Sequence, residues 1–490
     1  MTIERILEVI GKNNPGADLD LVRLAYDFAN EAHRGQKRHS GDDYIQHPLE
    51  TAYKLAEYNL DMATIIAGIL HDVPEETGRT LSEIEKNFGL EIARLVEGIT
   101  KLGKIKYRGL ERYAENLRKM FMAIAEDVRV VFIKFADRIH NLKTLYSLTP
   151  VKQQRIARES LEIYAPIANR LGMEEIKGEL EDLSFPYVYP EEYKWVLDIS
   201  KKRYEEQKRF TDRVIKIIQK ELLENSSVKI VKLEGRAKRY YSLYQKILRK
   251  DMDINKVYDL VALRIIVEDI EDCYRVLGHI HQLWPPVPGR IKDYIAQPKP
   301  NGYQSLHTTV FGPDGRITEF QIRTQKMHEE AELGVAAHWL YKDKNIKENL
   351  KISQEKLKWI QGLLDEKDNG KTPKHYLNSL KLDFFKNRIF VFTPKGDVID
   401  LPEGATPIDF AYHIHSDIGN KCAGAKVNDK IATLQTPLKS GDVVEIIIDK
   451  NRKGPSENWL SIAQTHAARD KIKAALRKSS RLNIFKFFGK

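Results

Sequence analysis

The amino-acid sequence predicts a multidomain chain, with an all-α half followed by an α/β domain and a small β-rich unit. Three observations carry this. At 490 residues the chain is about three times a typical domain of roughly 150 residues. Apolar residues recur at helical spacing through about residue 200, and strand-like periodicity begins near 228. Hydrophobic residues make up 42% of the chain and charged residues 31%, enough apolar side chain for several cores and unlike a disordered polymer.

Leu21, Leu24, Ala25, Phe28, Ala29 and Ala32 mark a helix face, as do Ile65, Ile66, Ile69 and Leu70. Val228, Ile230, Val231 and Leu233 open a strand, and Asp259 to Val267 reads as a strand buried on both faces. Ser305–Phe311 and Arg316–Ile322 flank Gly312-Pro313-Asp314-Gly315, a hairpin turn. Helical patterns fall at Leu243–Arg249, Ile270–Leu283 and about 325–341, so strands alternate with helices over about 200–345. A polar Gly/Pro linker spans 366–374. A β-rich unit follows at 388–449, then an amphipathic basic helix from Ser456.

The net charge of +10 is uneven: residues 451–490 hold ten Lys/Arg and two Asp/Glu, a local +8. Such a patch suits a polyanion such as RNA, and equally a solvated helix end. Two cysteines, Cys273 and Cys422, exclude a disulfide framework or a cysteine-rich zinc site. The longest apolar runs fall well short of the roughly 18 residues of a membrane span, and Met1–Arg5 lacks a basic-then-apolar signal pattern. The expectation is a cytoplasmic protein with no membrane partner.

In the helical half, His47, the doublet His71-Asp72 and Asp137 offer two nitrogen and two carboxylate donors on separate helical segments. This set suits a divalent ion such as Mn²⁺ or Fe²⁺ with positions left for water. A bound ion would supply a nucleophile near neutral pH. Glu75 and Glu76 follow the doublet. Pro74 places them in a turn or the first turn of a new helix, where they can orient or deprotonate water or simply complement a helix N-terminus.

Gly98–Lys104 in the helical half and Gly370-Lys371-Thr372 in the linker fail as phosphate loops, the first for want of a hydroxyl after Lys104 and the second of an upstream glycine. In the α/β half, cations gather instead around strand carboxylates: Arg236, Lys238, Arg239, Lys246, Arg264, Arg290, Lys292 and Lys299. Together they can neutralise a triphosphate or two nucleotides. Asp259 at a strand start can hold Mg²⁺, Glu319 can accept a hydroxyl proton, and Tyr303 can stack on a base.

At these residues the chain resembles the RelA/SpoT family of long guanosine tetraphosphate synthetase–hydrolases. The motifs are GQKRHSGDDYIQHP (35–48), HDVPEET (71–77), KFADRIHNLKTL (134–145), YAPIANRLGM (164–173), YDLVALR (258–264), RIKDYIAQPKPNGYQSLHTT (290–309) and EFQIRT (319–324). The resemblance implies an HD-type hydrolase domain at 1–195, with coupling helices from about 150, that removes the 3′-pyrophosphate of guanosine tetra- or pentaphosphate. It gives His47, His71, Asp72 and Asp137 as Mn²⁺ ligands, Glu75 and Glu76 as water-activating acids, and Arg38, Ser40 and Asn141 as nucleotide contacts. It also implies a nucleotidyltransferase-like synthetase domain at 196–345 that moves pyrophosphate from ATP to the 3′-hydroxyl of GDP or GTP. There Asp259 would bind Mg²⁺ and Glu319 would act on the hydroxyl. Arg236, Lys238, Ser242 and Lys246 resemble the ATP side, Lys299, Asn301, Tyr303 and His307 the guanosine side. Arg264, Arg290 and Lys292 join the nucleotide set, with Arg290–Asp293 matching the basic form of bifunctional members.

After a helix and linker at 346–387, residues 388–449 resemble a TGS domain, a β-grasp module. It implies contact with deacylated tRNA on the ribosome, at His415, although a histidine beside an apolar strand is as often a core residue. A basic helical tail occupies 455–490. Three departures stand out. Glu76 replaces the family's usual Asp, and misplacing a carboxylate by about an ångström can cost about a hundredfold in rate. His39 stands where lysine is common, and the zinc-finger and ACT-type regions of long members are absent. A synthetase with impaired hydrolysis, or a non-catalytic tRNA- or ribosome-binding sensor, are the alternatives.

Overall fold

The computed structural model describes residues 1–103, 119–225, 228–254, 257, 260–299, 301–339, 388–395, 397–439, 441–452 and 454–487. They fall in two compact units, one containing those up to 339 and the other those from 388. Asp259, the 346–387 segment and Gly370-Lys371-Thr372 lie outside the described residues.

The first unit opens with helices. Met62–Leu70 is buried all round, with Ile66, Ile69 and Leu70 fully enclosed. Asp61 caps it by accepting from the Thr64 amide at 2.8 Å. Gly68 brings this helix against Gln46–Glu57: a Cβ there would meet Leu55 Cδ1 at 2.5 Å. Pro74 starts the one-turn helix Val73–Glu76, which carries both glutamates. Arg129, at the start of helix Arg129–Lys143, is buried and held by Asp127 at 2.7 Å and Glu91 at 2.6 Å. Gly98–Gly103 ends helix Leu90–Gly103, so it forms no phosphate loop.

Helices Glu174–Val188 and Pro190–Asn225 lead into a five-stranded sheet of β1 (Ile230–Ala237), β2 (Val261–Val267), β3 (Lys292–Asp293), β4 (Leu306–Phe311) and β5 (Ile317–Thr324). Its order is β1-β2-β5-β4-β3, antiparallel throughout except for the parallel pair β2–β5. One face is the core: Leu263, Ile265, Val267, Val310, Phe320 and Ile322 pack under Phe210, Val214 and Ile218 of the long helix and Cys273, Val276 and Ile280 of Ile270–Leu283. Enclosing each such side chain contributes about 1.5–3 kcal/mol. The β4–β5 hairpin turns at Pro313–Gly315, as expected.

Two expectations need correction. The helix expected over 325–341 ends at Leu333, because Gly334 takes a positive φ of 57° and a 3₁₀ segment, Gly334–Trp339, follows. The strand expected from Asp259 begins at Val261.

The second unit holds β6 (Arg388–Phe392), β7 (Val398–Pro402), β8 (Cys422–Val427), β9 (Lys430–Ala432) and β10 (Val444–Ile448). β6 pairs with β7, β8 lies between β10 and β9, and a parallel bridge from Phe392 to Val443 joins the two sheets. Helix Pro407–Ile414 packs across them. The basic segment is helical, as expected, and it packs on this unit. Helices Trp459–Ile462 and His466–Phe487 bury Trp459, Ala468 and Ile472 against Ile408, Ala411 and Tyr412. Asp409, 1% exposed, ties them together: it accepts from Thr406, Gln464 and Thr465 at 2.8–3.1 Å.

Candidate active sites

His47 sits near the start of Gln46–Glu57, His71-Asp72 ends Met62–Leu70, and Asp137 lies within Arg129–Lys143. Their convergence is tight. One ligand atom from each of His47, His71 and Asp137 falls within 4.8 Å of the others, and all three residues are buried. His47 Nε2 lies 3.2 Å from Asp137 Oδ1 and 3.4 Å from Asp72 Oδ2, and His71 Nε2 lies 3.2 Å from Asp72 Oδ1. Asp72 thus stands beside the compact trio. His71 Nδ1–H donates to the Gly68 carbonyl at 2.8 Å, which leaves a buried Nε2 with no hydrogen-bond partner among the described residues. A buried lone pair facing carboxylates fits a divalent metal.

Supporting groups surround the donors. Lys134 Nζ donates to Asp137 Oδ2 at 2.7 Å, Asn141 Nδ2 to Asp137 Oδ1 at 2.5 Å, and Tyr44 Oη to Asp72 Oδ2 at 3.0 Å. Burial opposes ionisation of Asp137, yet Lys134 and the imidazoles hold its carboxyl well below the usual range. Burial lowers His47 and raises Glu75, so the site favours a neutral His47 and a proton-accepting glutamate. Arg38 Nη2 donates to Asn141 Oδ1 at 2.7 Å, joining two of the expected nucleotide contacts. Ser40 bonds Asp42 on the exposed rim. Gln36 clamps the Glu76 backbone carbonyl at 2.8 Å.

In the sheet, register assembles the second site. Glu234, Arg264, Gln321, His307 and Lys292 form one cross-strand row on the face opposite the core. Arg236, Glu319 and Arg323 lie two residues from row members and share that face. His307 Nδ1 stands 3.9 Å from Glu319 Oε1, and Gln321 donates to the same oxygen at 3.3 Å. Tyr303 Oη meets His307 Nε2 at 2.8 Å, while Lys299 Nζ lies 4.7 Å from the Tyr294 and Tyr303 ring centres. Burial and then Lys299 push His307 down to about 3, so it is neutral. Asn301 turns its side chain onto the Tyr303 amide.

Arg264 is 4% exposed. Burial and then Arg323 push it down to about 10. Glu332 pairs with Arg323 at 2.9 Å, Arg264 at 3.0 Å and Arg236 at 3.5 Å. The Arg264 contact is an ion pair without directed hydrogen-bond geometry, so its Nε and Nη2, with Arg323 Nε, stay buried without acceptors among the described residues. Three guanidiniums around one carboxylate leave donors of the kind phosphate oxygens accept. Lys238 follows β1, and Ser242 and Lys246 lie four residues apart on helix Tyr240–Leu248. Arg290 and Lys292 are exposed at the sheet edge. His415 is no core residue: its side chain is 65% exposed, and Nδ1 accepts from the Asp417 amide at 3.2 Å.

Sequence reasoning missed Tyr44, Lys134, Arg323 and Glu332 as members of these clusters, along with His140, whose Nδ1 lies 2.7 Å from His47 Nδ1, and His328, whose Nδ1 lies 2.8 Å from Arg323 Nη2. Arg323 carried a usable signal, since it alternates with Glu319 and Gln321 on one strand. Glu332 carried none, because it comes from a helix that crosses the sheet face.

This helical cluster of candidate metal ligands, followed by a mixed sheet with a cation-lined face, has counterparts among known proteins. The HD domain family matches residues 25–174, the region found in RelA / SpoT proteins matches 235–346, and the TGS domain matches 389–448. A guanosine-3′,5′-bis(diphosphate) 3′-pyrophosphohydrolase of Aquifex aeolicus is 47% identical over 484 residues, covering 98% of this chain and 68% of the relative. A GTP pyrophosphokinase of Myxococcus xanthus is 45% identical over 482 residues, with 98% and 63% covered. The bifunctional (p)ppGpp synthase/hydrolase SpoT of Escherichia coli K12 is 44% identical over 480 residues, with 98% and 68% covered. The chain belongs to the RelA/SpoT family, and it spans about two thirds of the length of these curated relatives. Among the described residues no helix is long and apolar enough to cross a membrane.

Proposed function

We propose that the chain both makes and removes the 3′-pyrophosphate of guanosine tetra- and pentaphosphate, at two separate centres, in the cytoplasm. One observation carries this reading. A buried histidine–carboxylate cluster lies in the helical half, and a cation-lined sheet face bearing Glu319 lies in the α/β half. The names of the relatives, pyrophosphokinase and pyrophosphohydrolase, support it.

In the hydrolase domain (1–195), His47, His71, Asp72 and Asp137 hold Mn²⁺, which when bound supplies Lewis acidity and a nucleophile at neutral pH. Glu75, with Glu76 beside it, takes the proton of the attacking water. Arg38, Ser40 and Asn141 hold the nucleotide while the water oxygen bonds to the phosphorus on its 3′ oxygen; the bond from that phosphorus to the 3′ oxygen breaks, the 3′ oxygen takes up a proton to become a hydroxyl, and pyrophosphate leaves.

In the synthetase domain (196–345), Arg236, Lys238, Ser242, Lys246 and Arg264 bind ATP, with Asp259 on Mg²⁺. Arg290, Lys292, Lys299, Asn301, Tyr303 and His307 hold GDP or GTP. Glu319 accepts the 3′-hydroxyl proton as that oxygen bonds to the β-phosphorus of ATP. The bond from that phosphorus to the bridging oxygen breaks, and AMP leaves. The TGS domain (388–449) and the basic helix (455–490) meet deacylated tRNA on the ribosome, with exposed His415 as a contact.

The test is two incubations: labelled ATP with GDP and Mg²⁺, and guanosine tetraphosphate with Mn²⁺. Transfer of label to GDP in the first and release of pyrophosphate in the second are expected. Failure of both ends the reading.

A further inference from the structure

Both metal-site imidazoles are oriented through their Nδ1 atoms, but by different partners. His71 uses the Gly68 carbonyl. His47 uses a second histidine, since its Nδ1 lies 2.7 Å from His140 Nδ1, with ring centres 4.9 Å apart. His140 lies on the same helix as Asp137, one residue before Asn141. At 2.7 Å two lone pairs cannot face each other, so one of these nitrogens carries the proton.

That choice reaches the far side of the His47 ring. If His140 donates, a neutral His47 carries its proton on Nε2, aimed at Asp137 and Asp72, and cannot bind a cation. If His140 accepts, His47 carries its proton on Nδ1, and Nε2 presents a lone pair to the donor cluster. We propose that His140 is a positioning residue for the divalent-metal site, accepting the His47 Nδ1 proton and so fixing His47 in the metal-binding tautomer. It completes a supporting shell in which Lys134 and Asn141 hold Asp137 and Tyr44 holds Asp72. The inference rests on the metal-site reading above.

The test measures Mn²⁺ affinity of the full chain from the electron paramagnetic resonance signal of free Mn²⁺, at fixed pH. Loss of such a supporting partner typically weakens metal binding by about 10–100-fold, and that loss is expected for His140→Phe, which keeps a ring without an acceptor. His140→Asn, whose side-chain oxygen can accept in place of Nδ1, should remain within a few-fold of the unsubstituted chain. Circular dichroism and metal-free melting of both variants report folding, and His140→Leu replaces Phe should the larger ring not be accommodated. Unchanged affinity in the folded Phe or Leu variant, or equal loss in the Asn variant, overturns the role of His140. No Mn²⁺ uptake by the unsubstituted chain overturns the metal site itself.

Discussion

Replacing Glu332 with Gln tests the arginine cluster most directly, because it keeps the side-chain shape and removes the charge. Arg264 and Arg323, its two nearest partners, are 4% and 1% exposed, so water cannot take over the lost pairing. Burial works against ionisation of Glu332, but Arg236, Arg264 and Arg323 hold it at about 2 against an ordinary 4.5. That difference is worth about 3 kcal/mol. Removing one partner of a buried pair independently costs about 3–5 kcal/mol. For a cooperative unit of about 150–250 residues, this lowers the melting temperature by about 6–20 °C. Urea unfolding followed by tryptophan fluorescence measures it, since Trp284 stacks on Phe320 in the core of this sheet. The acid limb gives a second readout. A depressed carboxyl stabilises fully above about pH 4.5, and the contribution is lost as pH falls towards 2. Glu332→Gln should lack that part of the acid dependence. A loss below about 1 kcal/mol, the range of a surface pair, with an unchanged acid limb, would refute the reasoning.

Glu319→Gln should lower synthesis by about 10² to 10⁴ while hydrolysis persists, measured by nucleotide chromatography; an unchanged rate removes its role as base. His71→Ala should abolish Mn²⁺-dependent hydrolysis and leave ATP-dependent transfer measurable. Glu76→Asp distinguishes full bifunctionality from a synthetase with crippled hydrolysis: a chain already active should gain little, whereas a large gain would identify Glu76 as the defect. Asp409→Asn should loosen the C-terminal helix by about 1–3 kcal/mol through lost acceptors, read as faster protease cleavage within 455–490.

Much of this architecture was legible because local periodicity and tertiary burial agree. The Ile270–Leu283 helix and the hairpin at 312–315 appear where spacing and turn residues put them. The metal donors were legible as residue types, but their convergence depends on Gly68, where a missing side chain lets two helices meet. Arg264 was visible as a cation in a hydrophobic run, whereas its neutralisation by Glu332 requires a helix returning over the sheet face. For the C-terminal basic segment, amphipathic helical character was legible, while its partners were not: Trp459, Ala468 and Ile472 are the side chains that place it.

Gly334 and Gly172 meet without intervening side chains. A methyl group on Gly334 would fall 2.1 Å from the Leu171 carbonyl oxygen, and one on Gly172 would fall 3.1 Å from that of Asn301. Main chain rests on main chain there, and no rotamer can swing aside to absorb a displacement. The joint behaves like a keystone with no mortar: enlarging either glycine must spread the flanking loops, and the loop that carries Lys299 and Tyr303 abuts the same stone.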